Sequence, residues 1–431
     1  MNTKLDKSYK LVPGTTIFDS EQSKKGYHLN QFCMSLMTAE NRALYLADER
    51  AYLDAWPGLT ETQKQALLNR DLNTAIAEGG NIYFLAKWGA TLGLSFQQMA
   101  GSMTGMTEQE YRDLMVQGGR SIVGNRIDRA VMETAYADDE APTEHATITA
   151  SVYTSHVPAI GAAMDQHKTE EPYWKAVFDG YEYSKQWEKE NVPDVIFLVY
   201  NDHATTFDLS IIPTFVLGTG ASYPIADEGY GPRPVPPIES DPDLAAHIAH
   251  SVIRDDFDLT LVNEMSIDHG LTVPLSLMFG DVDKWPCKVI PFHVNVVQYP
   301  IPSGERCFKL GKAIRKAIES YDKPLKVQVW STGGMSHQLQ GPRAGLINRE
   351  WDNAFLDKLI ADPAGLAEVP HLEYVEEAGS EGIELVMWLI ARGAMSDIDG
   401  TGTIELKHRF YHVPASNTAV GHLIIENHPK D

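Results

Sequence analysis

Val195-Ile-Phe-Leu-Val-Tyr-Asn-Asp-His203 is the stretch on which the reading of this chain turns. Val195 to Tyr200 is an unbroken apolar run, rich in β-branched and aromatic residues, entered through Pro193 and Asp194. Such a run reads as a strand buried on both faces of a sheet. It stops abruptly at Asn201, Asp202 and His203. In an open α/β sheet ligands bind outside the carboxyl ends of the strands, so a carboxamide, a carboxylate and an imidazole stand where chemistry is done. Taken alone, the stretch also reads as a helix-capping pair followed by a surface histidine. Other runs that end the same way shift that balance.

Working outward, Ile148 to Tyr153 leads into Thr154-Ser155-His156, Leu259 to Val262 leads to Asp268-His269-Gly270, and Leu325 to Trp330 ends in Ser331-Thr-Gly-Gly-Met-Ser-His337. Lys288 to Val297 is a further strand. Between these lie helical patterns at Trp174 to Glu190, Asp241 to Asp255, Arg306 to Tyr321, Trp351 to Ala361 and Glu381 to Arg392. Alternating strands and helices predict an α/β domain with a largely parallel central sheet over 146–431. The first part differs. Glu40 to Trp56, Glu61 to Glu78 (capped by Thr60), Asn81 to Leu92 and Thr107 to Val116 read as helices, and no strand pattern of comparable strength appears there. This predicts a small all-α domain over 1–124. The stretch 125–145, with the acidic Asp138-Asp-Glu-Ala-Pro-Thr-Glu144, reads as a linker.

Composition narrows the function. The formal net charge is -23 over 431 residues, a field that repels nucleic acid and anionic membranes. An anionic ligand therefore needs a local cation. Three scattered cysteines, Cys33, Cys287 and Cys307, give neither a disulfide framework nor a thiolate metal site. With a polar N-terminus and no bilayer-length apolar run, the expectation is a cytoplasmic protein with neither nucleic-acid nor membrane partners.

Four histidines follow strand-like runs: His156, His203, His269 and His337. A lone histidine is usually structural; four in equivalent positions are harder to set aside. Glu384 sits in Ile383-Glu-Leu-Val-Met-Trp-Leu-Ile390, apolar almost all round and so buried. A buried carboxylate must be paired, hydrogen-bonded or bound to metal. Glu381, one turn earlier, competes with it, and a salt bridge to an arginine is the bland alternative. Two histidines and a carboxylate with open positions form the facial triad of non-haem Fe(II) oxygenases, although zinc hydrolases use similar ligands.

Longer words decide between these. Gly26-Tyr-His-Leu-Asn-Gln-Phe32, Glu78-Gly-Gly-Asn-Ile-Tyr-Phe84 and Gly101-Ser-Met-Thr-Gly-Met106 in the first part, then Ser155-His-Val-Pro-Ala159, Tyr200-Asn-Asp-His203, Ala226-Asp-Glu-Gly229, Asp268-His-Gly270, Gly333-Gly-Met-Ser-His-Gln-Leu-Gln-Gly-Pro342, Gly379-Ser-Glu-Gly-Ile-Glu384 and Pro414-Ala-Ser-Asn-Thr418 stand in order along nearly the whole chain. In these words the chain resembles the class II extradiol ring-cleaving dioxygenases of the protocatechuate 4,5-dioxygenase family, with the α and β subunits fused. The resemblance implies Fe(II) held by His156, His203 and Glu384, with His337 as the acid/base histidine and His269 as a second active-site histidine. It implies that Ser416 and Asn417 meet the substrate carboxylate, that Phe96 in Ser95-Phe-Gln97 helps close the pocket, and, with its place at the strand end, that Asn201 lies against the substrate. The expected reaction is cleavage of protocatechuate by O2 to 4-carboxy-2-hydroxymuconate semialdehyde, with gallate or 3-O-methylgallate as the alternative substrate. The resembled family pairs two α and two β subunits, so a fused chain is expected to form a homodimer. A serine hydrolase built on Ser336 and His337, or a metal-binding protein without catalysis, are the readings outside this class. The chain departs from the family near Asp397-Ile-Asp-Gly-Thr-Gly402, which superficially suggests a calcium loop and reads better as a hairpin turn.

Overall fold

The structure is a computed structural model that describes residues 7–128, 130, 131 and 144–430. The chain divides between residues 141 and 142 into two compact units, and the greater part of the expected linker lies outside the described residues. Every named element among the described residues of the first unit is a helix. Several helices are set by local hydrogen bonds. Thr60 with Gln63, Ser95 with Gln98 and Thr107 with Glu110 form reciprocal capping boxes. Two expected long helices are each broken by an aspartate. Asp48 separates Ala39–Ala47 from Glu49–Ala55 and caps the second. Asp71 caps Leu72–Ala77 after Glu61–Leu68 has ended. An aspartate side chain that accepts from the backbone N–H three residues on stabilises a new helix start, and the apolar periodicity runs through the break unaltered. The core of the unit gathers Leu29, Phe32, Tyr45, Leu53, Leu85 and Trp88, and the Trp88 indole donates to the Tyr45 hydroxyl at 2.9 Å.

Among its described residues the second unit has ten strands: β1 (Thr147–Thr154), β2 (Val195–Tyr200), β3 (Phe215–Gly218), β4 (Ser222–Tyr223), β5 (Ile238–Glu239), β6 (Thr260–Val262), β7 (Lys288–Val294), β8 (Lys326–Thr332), β9 (Gly402–His412) and β10 (Val420–Pro429). Eight of them form one sheet in the order β6-β3-β7-β2-β8-β1-β10-β9, while β4 and β5 pair separately. β2 is buried along its whole length, as the apolar run predicts. Residues of helices Pro242–Arg254 and Gly304–Glu319, among them Leu244, Ile248, Leu310 and Ile314, build the core on one side. Ile160, Trp187, Leu271 and Leu275, from Pro158–Asp165, Glu182–Glu190 and His269–Phe279, belong to the other core. Each such fully buried side chain contributes about 1.5–3 kcal/mol.

The sheet is mixed but mostly parallel, in keeping with the largely parallel expectation, and its antiparallel pairs are the part that expectation did not contain. β1·β8, β2·β8, β2·β7 and β3·β6 are parallel, but β3·β7, β1·β10 and β9·β10 are antiparallel. The β9–β10 hairpin adds itself to the free edge of β1, so no crossover helix announces it in the sequence. Asp397–Gly402 is not the turn of that hairpin. Ser396–Asp399 is a short 3-10 turn closed by Gly400 at φ +77°, and it leads into β9; the chain reverses later, between 413 and 419. Its carboxylates are already taken up: Asp397 pairs with the buried Arg392 at 2.5 Å and Asp399 with Arg315 at 2.8 Å, which leaves no calcium loop. The expected helix Trp174 to Glu190 breaks at Tyr181 into Lys175–Gly180 and Glu182–Glu190. Glu381 to Arg392 is a 3-10 segment, Gly382–Met387, followed by Trp388–Gly393.

Because β1, β8 and β2 are parallel neighbours, with Thr154 level with Thr332 and Val199 level with Ser331, their carboxyl ends share one edge. His156, His203 and the segment Gly333–His337 leave from that edge. His269 follows β6, as expected, but across the intervening segment 263–268. It is the first residue of helix His269–Phe279, whose N-cap is Asp268.

Candidate metal centre and active site

His156, His203 and Glu384 each bring a donor atom into a group whose members lie within 4.8 Å of one another. His156 Nε2 is 3.2 Å from Glu384 Oε2. The far nitrogens explain which atoms face inward. The Thr332 hydroxyl gives its hydrogen to the Val199 carbonyl at 3.2 Å, so at 3.0 Å it accepts from His156 Nδ1. His203 Nδ1 donates to Asp268 Oδ2 at 2.8 Å, and the same oxygen accepts the His203 backbone N–H at 2.8 Å. Both imidazoles are thereby held with Nε2 toward the cluster, the arrangement by which metal-binding histidines are oriented. Glu384 Oε2 accepts the Gly334 N–H at 2.9 Å. The turn that delivers this N–H needs glycine: Gly333 has φ +140°, and a Cβ there would lie 3.1 Å from Glu384 Cβ.

The charges fit a divalent cation. Burial alone would raise the Glu384 carboxyl; His156, His337 and His203 around it reverse that and hold it well below the usual carboxylate range. Burial lowers His156, against the pull of Glu384. For His203 burial also acts downward, but Asp268 outweighs it and pushes the imidazole up to about 9; Asp268 itself, despite its burial, is held down to about 2 chiefly by His203. One ionised carboxylate and two imidazole nitrogens, with a further carboxylate behind one of them, are a donor set suited to a divalent transition-metal ion.

Other groupings fit less well. His203, Asp268 and His269 also converge, but Asp268 is occupied by His203 and by the Gly270 N–H. Glu405, Glu426 and His428 cluster on the β9–β10 hairpin, where Lys407 already sits 3.1 Å from one carboxylate and 3.6 Å from the other. Glu381, the competing ligand, accepts from Leu339 N at 2.8 Å and Ser380 Oγ at 2.7 Å instead. Glu384 meets histidines, not an arginine. Ser336 Oγ donates to Asp352 at 2.6 Å, so the hydrolase reading lacks its serine–histidine bond.

A second set of groups surrounds the cluster. The His269 ring stacks on His203 with centroids 4.0 Å apart. Its Nδ1 lies 2.5 Å from Glu228 Oε1, and its Nε2 is buried with no hydrogen-bond partner among the described residues. His337 is buried, and its Nδ1 donates to the Met335 carbonyl at 2.7 Å, which leaves Nε2 as the ring nitrogen not committed to the backbone. Gly334 lies between His337 and the cluster; a Cβ on it would meet His337 Cε1 at 2.8 Å. Asn201 Nδ2 is 3.1 Å from His203 Nε2, while Asn201 Oδ1 is buried without a partner among the described residues. Ser416 Oγ is likewise buried and partnerless. It stands two residues from Thr418, which bridges to His337. Asn417 is exposed in the left-handed region, φ +60°. Phe96, in the first unit, opens helix Phe96–Thr104 and is 55% exposed, so it is not a core residue. The sequence reading did not single out Thr332, Asp268, Gly334 or Glu228. Asp268 and Glu228 lay inside the quoted words beside a histidine or a glycine, which was the available signal.

Residues 150–421 match the catalytic LigB subunit of aromatic ring-opening dioxygenase, and the chain belongs to that family. Residues 29–116 match the LigA subunit of the LigAB aromatic-ring-opening dioxygenase. Among curated relatives, gallate dioxygenase of Pseudomonas putida is 43% identical over 203 residues, 47% of this chain and 58% of that one. The 2,3-dihydroxyphenylpropionate/2,3-dihydroxicinnamic acid 1,2-dioxygenase of Klebsiella pneumoniae is 25% identical over 269 residues, 58% of this chain and 81% of that one. Its Escherichia coli counterpart is 35% identical over 147 residues, 34% of this chain and 44% of that one. The match thus spans little more than half of the gallate enzyme's length.

Proposed function

We propose that this chain opens the ring of a carboxylated catechol beside its hydroxyl pair, using O2 and one Fe(II) held by His156, His203 and Glu384. The observation that carries the proposal is the convergence of those three donors with both histidines tied back through Nδ1. When bound, the iron supplies local positive charge for the two ring oxygens and the redox chemistry that O2 requires. The chain's own groups do the rest. His337, with Nδ1 committed to a carbonyl, takes a phenolic proton at Nε2 and returns it later in the cycle; imidazole suits both directions near neutral pH. His269 offers a second ring nitrogen. Ser416 Oγ and the Asn201 amide, which hold buried polar atoms without partners, hydrogen-bond the substrate, with Asn417 beside them. A local cation is what lets a chain of net charge -23 bind an anionic acid.

Gallate and protocatechuate are the two substrates to separate. Protocatechuate follows from the sequence words, and the 43% likeness to a gallate dioxygenase favours gallate. The remaining features of this reading are a helical domain over 1–124, a linker, a catalytic domain over 146–431, a pocket-closing role for Phe96, a homodimer and a cytoplasmic location. No helix among the described residues is long and apolar enough to cross a membrane. The test is O2 uptake after anaerobic Fe(II) loading, with gallate, protocatechuate and 3-O-methylgallate compared by kcat/KM. The reading expects turnover of at least one of them. No uptake with any of the three would refute it.

A further inference from the structure

We infer that Glu228 is a positioning residue for the site: it holds the backbone N–H and the ring Nδ1–H of His269 and so turns the ring's Nε2 toward the bound substrate. The inference deepens the catechol reading and rests on it for the identity of that substrate. It starts from a repeated piece of geometry. Asp268 accepts both the backbone N–H and the ring Nδ1–H of His203. Glu228 does the same for His269: Oε2 takes the backbone N–H at 3.0 Å and Oε1 takes Nδ1 at 2.5 Å. Two carboxylates thus clamp two histidines in the same way, and the two rings stack at 4.0 Å and 29°. One of these imidazoles belongs to the ligand cluster; the other is oriented as a ligand would be, yet lies outside the His156–His203–Glu384 group.

A carboxylate can only accept, so the Nδ1 that faces Glu228 carries the proton. His269 Nε2 is then the nitrogen turned to the site, and it is buried without a partner among the described residues. A buried polar atom left open is costly unless something fills the place. A substrate hydroxyl would fill it.

The delivery of Glu228 is also built. Ala226 N donates to the Ile267 carbonyl and Ile267 N to the Pro224 carbonyl, each within 2.9 Å. Asp227 then caps the turn by accepting from Gly229 and Gly231 at 2.8 Å. Ordinary backbone pairing therefore brings an otherwise exposed loop residue to the start of helix His269–Phe279. The Glu228 side chain is 28% exposed and that of His269 10%. Removing the carboxylate takes nothing from the core, and the fold is expected to survive it.

The experiment compares the full chain with Glu228→Ala and Glu228→Gln. In the metal-free, 15N-histidine-labelled proteins, long-range proton–nitrogen NMR reads the His269 tautomer, with the signal assigned by its loss in His269→Gln. The wild type is expected in the Nδ1–H form, and Glu228→Ala as a mixture. Loaded with iron, both variants should keep wild-type metal content. Glu228→Ala should lose roughly 10–100-fold in kcat with a smaller change in KM. Glu228→Gln, whose amide oxygen can still accept Nδ1–H, should recover a large part. An unchanged tautomer in Glu228→Ala, or kcat within about twofold of wild type at full iron content, overturns the inference while leaving the dioxygenase reading intact. If the wild type itself takes up no O2 with any catechol, that reading falls, and the NMR result alone still decides whether Glu228 sets the tautomer.

Discussion

His156 and His203 point Nε2 into a group completed by Glu384, and tie Nδ1 back to Thr332 and Asp268. His269 and His337 are tied back through the same nitrogen, to Glu228 and to the Met335 carbonyl, but stand outside that group. On the proposed reading one device serves two purposes, and what separates a ligand from a proton partner is what the free nitrogen meets, because both sets of rings are tied back through Nδ1. The contrast extends to carboxyls. Glu384 and Asp268 are held ionised by histidines, whereas Glu188 is fully buried with no histidine beside it to do the same, and burial pushes it up to about 8 against a smaller opposing pull from Gln328.

The contrast breaks first, and most completely, at the inner set. His203→Ala removes a donor and takes the imidazole away from the buried Asp268, which keeps only its backbone N–H partners. Metal analysis should show most iron lost, with activity down by about 10³-fold or more. Full iron occupancy and turnover in that variant would take His203 out of the ligand set. Substitution in the outer set should spare the metal. His337→Gln is expected to bind iron and catechol normally and to turn over about 10²-fold more slowly; parallel loss of iron would place His337 with the ligands instead.

Glu188 gives a test on stability. Its folded pKa of about 8 lies above the ordinary 4.5, so the folded chain holds a proton that the unfolded chain releases. Stability from this group is complete below the ordinary value and is lost as pH rises through about 8. The loss is on the order of a few kcal/mol at most. Glu188→Gln should therefore raise the Tm relative to wild type more at pH 8 than at pH 5. An equal difference at both would mean that the carboxyl is ionised or solvated in the folded chain. The smallest effect is expected at Phe96, which is exposed and far in sequence from the ligands. Phe96→Ala should leave the fold and iron content intact and raise KM a few-fold if the ring borders the substrate. Unchanged KM and selectivity would end that role.

Legibility in the sequence followed burial. β2 and the ends of β1 and β8 were readable because strands buried on both faces are continuous apolar runs. β9 was not, since an edge strand carrying Glu405, Lys407, His408 and Arg409 looks like a loop. β10 hides a buried His422 and Asn427 among its apolar residues, and β3 is only four residues long and ends in glycine. The ligand candidates were legible because histidines at strand ends and a carboxylate in an apolar run are unusual. Their supports were not. Thr332, Asp268 and Glu228 act through contacts between segments distant in sequence, and neither spacing nor periodicity records those.

The most direct test of a single iron centre at His156, His203 and Glu384 is an anaerobic Fe(II) titration of the metal-stripped chain, followed at each point by O2 uptake with gallate or protocatechuate. The account predicts saturation at one Fe(II) per chain, with activity rising in proportion and one O2 consumed per ring opened. Turnover that persists in the metal-stripped chain under a chelator, or iron binding with no saturation at one per chain, would contradict it.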